Sequence, residues 1–137
     1  MTSPWTGVFP AVTTQLHQDQ SLDLEATAQH FEALLASGVS GLIVCGSLGE
    51  NQCLEPAEKR AVVRTAVEVS NGRVPVLSGV AEMSTRAGLK YMADCEQLGA
   101  DGFMIMPAMV YKADTREAVH YFRTMAAGTS KPWMLYN

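Results

Sequence analysis

Short apolar runs rich in Val, Ile, Leu and Met recur along the chain at 7–14 (GVFPAVTT), 41–46 (GLIVCG), 74–80 (VPVLSGV), 102–107 (GFMIMP) and 133–136 (WMLY). They are apolar at successive rather than alternate positions, which predicts strands covered on both faces. Between the runs, apolar residues return every three or four positions: Leu24, Ala28, Phe31 and Leu35; Val62, Ala66 and Val69; Met92, Cys95 and Leu98; Val119, Phe122 and Ala126. That spacing predicts four amphipathic helices. Their starts are marked by Asp23 and Ser84 as N-caps, by Pro56 at a first helical position with Glu58 two residues on, and by Asp114 with Glu117 as a capping box.

Strands and helices therefore alternate, beginning and ending on a strand, and uniformly apolar strands in that order predict a parallel sheet covered by helices. Ser37-Gly-Val-Ser-Gly-Leu-Ile-Val44 and Leu98-Gly-Ala-Asp-Gly-Phe-Met-Ile105 repeat the same helix end, turn and strand. Two strand-helix units span that offset, and about 30 residues per unit is the repeat of a (β/α)8 barrel, which spends about 250 residues on eight units. The pattern predicts the N-terminal part of a single TIM-barrel domain over 1–137, with four strand-helix units and a fifth strand. An open flavodoxin-like sheet with a clipped tail also fits the length, although such a sheet ordinarily finishes on a helix.

Composition narrows the function. With 47% hydrophobic and 18% charged residues the chain can bury a core, and its net charge of −4, without a Lys/Arg cluster, argues against nucleic acid. The longest apolar run, 102–111, is far short of the roughly 20 residues of a membrane span. The N-terminus lacks the basic head and apolar segment of a secretory signal, so a cytoplasmic location is expected. Cys45, Cys53 and Cys95 have neither even number nor Cys-x-x-Cys spacing and are expected as buried free thiols. His17, His30 and His120 lack ligand spacing, so no metal and no cofactor are expected, and Met104, Met106 and Met109 read as core or loop filling.

The candidate chemistry begins at Gly46-Ser-Leu-Gly-Glu50, behind the second apolar run. The loop lacks both the Gly-Lys-Ser/Thr ending of a phosphate loop and a G-x-G-x-x-G spacing. It offers the N–H groups of Ser47 and Leu48 and the Ser47 hydroxyl at the C-terminal end of a strand, where barrel active sites collect, and such donors suit a small carboxylate. A tight turn made by Gly46 and Gly49 is the plainer reading. Tyr136 stands at the corresponding end of the last strand, from which a side chain can reach a pocket.

The ordered set Gly-Val-Phe-Pro-Ala-Val-Thr-Thr at 7–14, Gly-Val-Ser-Gly-Leu-Ile-Val-Cys-Gly-Ser-Leu-Gly-Glu at 38–50, Leu-Glu-Pro-Ala-Glu-Lys-Arg at 54–60, Pro-Val-Leu-Ser-Gly-Val at 75–80, Gly-Ala-Asp-Gly at 99–102 and Leu-Tyr-Asn at 135–137 resembles the dihydrodipicolinate synthase/N-acetylneuraminate lyase family. The resemblance implies a class I aldolase-type lyase that joins pyruvate or a related 2-keto acid to a barrel lysine as a Schiff base, in a homotetramer. It implies Ser47 as carboxylate holder and proton relay, Leu48 as a backbone donor where the family often has a hydroxyl residue, and Tyr136 as the acid/base. Met109 takes a position where relatives often carry a Tyr, and Tyr111, two residues on, is a possible loop contribution. The Ser-Leu-Gly-Glu-Asn loop suggests a branch that dehydrates or deaminates small hydroxylated substrates.

The same resemblance places the Schiff-base lysine on a sixth strand. Lys59 and Lys90 lie in predicted helices and Lys131 precedes the fifth strand, so residues 1–137 are expected to be inactive alone. Two exposed sheet edges also predict self-association or partial folding, and leave a non-catalytic half barrel that pairs with a complementary chain as the alternative function.

Overall fold

The computed structural model of the protein describes residues 4–107 and 111–136. Met109 and Asn137 lie outside them. The elements are α1 (Leu24–Ala36), β1 (Leu42–Val44), α2 (Pro56–Ser70), β2 (Val76–Val80), α3 (Thr85–Leu98), β3 (Gly102–Ile105), α4 (Thr115–Ala127) and β4 (Trp133–Leu135). The strands form one sheet in the order β1-β2-β3-β4, each parallel to its neighbour. Each connection is thus a helical crossover to the adjacent strand.

The predicted helix starts hold. Asp23 accepts from Ala26 N–H at 2.9 Å, Ser84 from Ala87 N–H at 3.2 Å, and Asp114 from Glu117 N–H at 2.9 Å. Pro56 opens α2, where its missing N–H costs nothing, and Glu58 accepts from the Glu55 N–H at 2.8 Å.

Two expectations need correction. The run at 7–14 is no full strand: only Ala11 bridges in parallel to Ile43. Pro10 explains it, because its nitrogen has no hydrogen to donate. Its carbonyl accepts from Ile43 at 3.0 Å and Val12 donates to Ile43 at 2.9 Å, while Val8 pairs with Ser40, one residue out of step. In α4 the buried side chain is Met125, and Val119 is 43% exposed.

The two faces of the sheet are covered differently. Val44, Val76, Val80, Phe103 and Ile105 pack with Phe31, Val62, Met92 and Met125, one or more residues from each of the four helices. Ile43, Leu77 and Met104 point the other way and pack with Trp5, Phe9 and Met134, with no helical residue among them. Helices on one face only exclude the open doubly wound sheet, which needs them on both. The inner face is closed at its N-terminal end by the Trp5–Phe9 pair, ring centroids 6.3 Å apart.

At the C-terminal end the chain leaving β1 crosses over β2. An added Cβ on Gly79 would lie 2.3 Å from the Cys45 carbonyl oxygen and 2.9 Å from Gly46 Cα, so this crossing requires glycine at position 79. Outside the sheet, Lys59 is buried and pairs with Glu82 at 2.5 Å, side chains 7% and 16% exposed, while its ammonium lies 5.4 Å from the Tyr91 ring centroid. This pair joins α2 to the loop after β2, and Arg60 with Asp94 at 2.6 Å joins α2 to α3.

Gly79→Ala must push backbone against backbone, and a cost of about 1–3 kcal/mol is expected in urea unfolding. Lys59→Ala leaves the Glu82 carboxylate without its partner and should cost about 3–5 kcal/mol, whereas Lys59→Met combined with Glu82→Leu should recover most of that loss.

Candidate functional site

The alternation of side chains along the strands sets the rim. Leu77 and Gly79 of β2, Met104 and Met106 at β3, and Met134 and Tyr136 at β4 share the inward parity. At β1 the alternation breaks. Cys45 has φ 53°, in the left-handed region that non-glycine residues rarely enter, and it packs with Val44 in the helix-side cluster although the two are adjacent. The break turns the chain inward at Gly46, whose added Cβ would sit 3.3 Å from Met104 Cε.

Four contacts hold the turn and the loop behind it. Asn51, 1% exposed, donates its amide N–H to the Cys45 carbonyl at 2.8 Å. Buried Thr14 donates its hydroxyl to the Gly49 carbonyl at 2.8 Å. Gln52 donates to the Ala81 carbonyl at 2.7 Å, tying the loop to the end of β2, and Glu50 N–H donates to the Ser47 carbonyl at 3.1 Å. Among the described residues, the N–H groups of Ser47 and Leu48 have no acceptor.

The Ser47 hydroxyl donates to Met106 Sδ at 3.7 Å, a contact that passes from the end of β1 to the end of β3. Ser47, Glu50, Asn51, Gln52, Cys53, Ala81 and Met106 line a cavity of about 170 Å3. Leu48 is 62% exposed and is not part of its lining. Tyr136 continues the β4 ladder by one residue, donating its N–H to the Ile105 carbonyl at 2.9 Å, and its side chain is 52% exposed. Ser47 and Tyr136 thus stand at the same end of the sheet, with Met106 on the strand beside Tyr136. No hydrogen bond joins the two among the described residues.

Tyr111 belongs elsewhere. Its hydroxyl donates to the Glu117 carboxylate at 3.0 Å, and that acceptor holds the phenol above its ordinary range. It borders a separate cavity of about 330 Å3 between α3 and α4, with Met83, Pro107, His120 and Tyr121. Tyr121 links the two regions, donating to the Met106 carbonyl at 2.8 Å from a position where burial lifts its phenol to about 12.

The cysteines divide differently from expectation. Cys45 and Cys95 are buried, which pushes their thiols up to about 12 and about 11, and neither is a nucleophile at neutral pH. Cys53 is exposed, because the loop after β1 carries it past the helix layer before α2 begins. Among the described residues no group of three or more His, Cys, Asp or Glu gathers to hold a metal, and no helix is long and apolar enough to cross a membrane.

Sequence reasoning selected Ser47, Leu48 and Tyr136 and missed Asn51, Gly79, Tyr121 and Met106 as the parts that hold them. Gly79 and Asn51 each carried a faint signal, a glycine inside an apolar strand and an amide directly after a glycine turn.

Comparison with known proteins gives these features a context. The sequence profile of the dihydrodipicolinate synthetase family matches residues 4–137. An uncharacterized DapA-like lyase of Rhizobium meliloti is 37% identical over 133 residues, 97% of this chain and 44% of that protein. The 4-hydroxy-tetrahydrodipicolinate synthase 1 of Halalkalibacterium halodurans is 35% identical over 95% of this chain and 44% of its own length. The structure of YagE from Escherichia coli K12, a prophage protein of the dihydrodipicolinic acid synthase family in complex with pyruvate, superposes with a TM-score of 0.93 at 33% identity, over 98% of this chain and 45% of that one. The chain spans less than half the length of these relatives, and its four parallel strands are the corresponding front portion of an α/β TIM barrel. Matched from residue 4 to its last position, the chain belongs to the dihydrodipicolinate synthetase family.

Proposed function

We propose that residues 1–137 are the front portion of a cytoplasmic, tetrameric lyase that forms a Schiff base with pyruvate or a related 2-keto acid. The observation that carries this reading is the pair of acceptorless N–H groups at Ser47 and Leu48, presented with the Ser47 hydroxyl beside a small cavity at the C-terminal end of the sheet. Three donors on one turn suit a carboxylate, and fixed donors cost no reorganisation when charge shifts during reaction. The pyruvate complex of YagE supports the substrate class.

In this reading a lysine amine adds to the keto carbon, water leaves, and the resulting imine accepts the electron pair of a neighbouring C–C or C–H bond. Ser47 and the Leu48 N–H hold the carboxylate, so that the carbonyl carbon faces the amine. Tyr136 delivers and removes protons, and a phenol with an ordinary pKa of about 10 needs a hydrogen-bonded relay for that task. Ser47 supplies the relay once substrate draws its hydroxyl away from Met106. Tyr111, committed to Glu117, is left outside this assignment.

The amine does not come from the lysines described here. Lys59 is buried against Glu82 on the helix side, Lys90 pairs with Asp94 on α3 at 3.2 Å, Lys112 is exposed to solvent in the loop before α4, and Lys131 precedes β4. It comes from a barrel strand beyond these residues. A second reading, a non-catalytic half barrel that pairs with a complementary chain, draws on the apolar groove of about 410 Å3 beside α4, where Val119 and Leu135 are 43% and 48% exposed.

The natively expressed protein should show, by intact mass after incubation with pyruvate and borohydride, a species near twice 14.8 kDa that carries one reduced adduct. A species of 14.8 kDa without adduct turns the assignment to the pairing half barrel. In the adduct-forming enzyme, Tyr136→Phe should lower kcat about 10²–10⁴-fold and Ser47→Ala should lower kcat/KM about 10–100-fold. Residues 1–137 expressed alone should sediment as self-associated species, and a sharp monomer boundary with cooperative unfolding would contradict that expectation.

A further inference from the structure

Asn51 is an unusual occupant of its position. Its side chain is buried, one polar atom is bonded and the other, Oδ1, has no partner among the described residues. An unpaired buried acceptor destabilises the fold, and an apolar residue of similar size would avoid that cost. What only the amide supplies is its donor, and that donor goes to one atom, the carbonyl oxygen of Cys45 at 2.8 Å.

Cys45 is the point at which a donor has most leverage. Its left-handed backbone, φ 53°, turns its own side chain outward and sends Gly46 and Ser47 toward the inner rim. Relaxation to an extended conformation would restore the strand's alternation and carry the Ser47 donors away from the cavity. The Cys45 carbonyl lies between two constraints: Gly79 leaves room for it, and Asn51 bonds it. The Asn51 N–H also donates to the Gly46 carbonyl at 3.3 Å, so one residue closes the turn through both main chain and side chain.

We propose that Asn51 is the positioning residue for Ser47: by holding the Cys45 carbonyl it fixes the strained turn that presents the Ser47 hydroxyl and N–H to the substrate carboxylate. The kinetic half of this proposal rests on the keto-acid lyase reading; the structural half does not.

The test uses Asn51→Ala and the isosteric Asn51→Asp in the full-length enzyme, with two independent measurements. In steady-state kinetics with pyruvate as the keto acid, Asn51→Ala should lower kcat/KM about tenfold, more through KM than through kcat. In a Ser47→Ala background the same substitution should cost clearly less than in the parent, because the hydroxyl it positions is gone and only the main-chain N–H remains to be held. Asn51→Asp has no donor when ionised and regains one when protonated. At a site 1% exposed and facing a carbonyl, burial raises the carboxyl's pKa, so the variant's deficit relative to the parent should shrink as the pH falls from about 8 to about 5. An equal cost of Asn51→Ala in both backgrounds, or a pH-independent deficit in Asn51→Asp, overturns the proposal.

The second measurement is iodoacetamide labelling of the native protein read by peptide mass. The parent should label at Cys53 alone, and Asn51→Ala should add Cys45 while Cys95 stays protected. Cys45 as protected as in the parent overturns the positioning role. Labelling of both Cys45 and Cys95 means the alanine variant has unfolded globally, and the pH response of Asn51→Asp then decides. If the parent forms no adduct with any 2-keto acid, the lyase reading fails and the Cys45 labelling alone judges the turn.

Discussion

The rim of this half barrel depends on one approach of backbone to backbone, the Cys45 carbonyl against Gly79. Any side chain at position 79 would begin 2.3 Å from that oxygen, well inside the distance at which atoms repel. Because the approach is allowed, the chain can leave β1 inward, Gly46 can lie over Met104, and Ser47 can reach Met106 on the far side of β2. With Ala at 79 the loop would be displaced outward, and the Ser47 hydroxyl would no longer reach Met106 at the end of β3. The turn is held from behind by Asn51 and Thr14, both buried, which makes the loop part of the core rather than a mobile connection.

The same sheet separates stability from chemistry. Its helix side collects the large buried residues, and each fully buried Leu, Ile, Val, Phe or Met there contributes roughly 1.5–3 kcal/mol. Its inner side is thin: Ile43, Leu77 and Met104 under a lid of Trp5 and Phe9. That lid covers only the N-terminal end, where the rings fit over Gly41 and Gly102, whose added Cβ atoms would lie 2.0 and 2.4 Å from them. One end of the inner face is therefore closed by aromatic packing, and the Ser47 and Leu48 donors lie at the other.

How far the sequence reached follows from the kind of force involved. Periodicity reports burial, so four helices, their caps and four parallel strands were legible from apolar spacing and from Asp23, Ser84, Pro56 and Asp114. The run at 7–14 was misjudged because its apolarity is real but Pro10 withholds a ladder hydrogen, and pairing is what makes a strand. Ser47 and Tyr136 could be picked because they stand at strand ends. Asn51 and Gly79 carried only a faint signal, because the one acts through the backbone conformation of the turn at Cys45 and the other through its approach to a neighbouring strand's loop. The exposed Cys53 was misjudged for a related reason: composition gives the average fate of a cysteine, and a loop decides the particular one.

On the keto-acid lyase reading proposed above, the Schiff-base amine has to meet a rim that these strands already occupy. Level with one another at the C-terminal end of β2, β3 and β4, the inward positions are Ala81, Met106 and Tyr136, with Gly79 one layer below, and β1 has turned inward by Gly46. Gly79 cannot carry a side chain without displacing Cys45, and Met106 receives the Ser47 hydroxyl. Tyr136 is the only acid among them. On that reading the amine that meets a carboxylate held at Ser47 stands on a strand outside these four, and the sixth strand of the resemblance would follow β4, the strand that carries Tyr136.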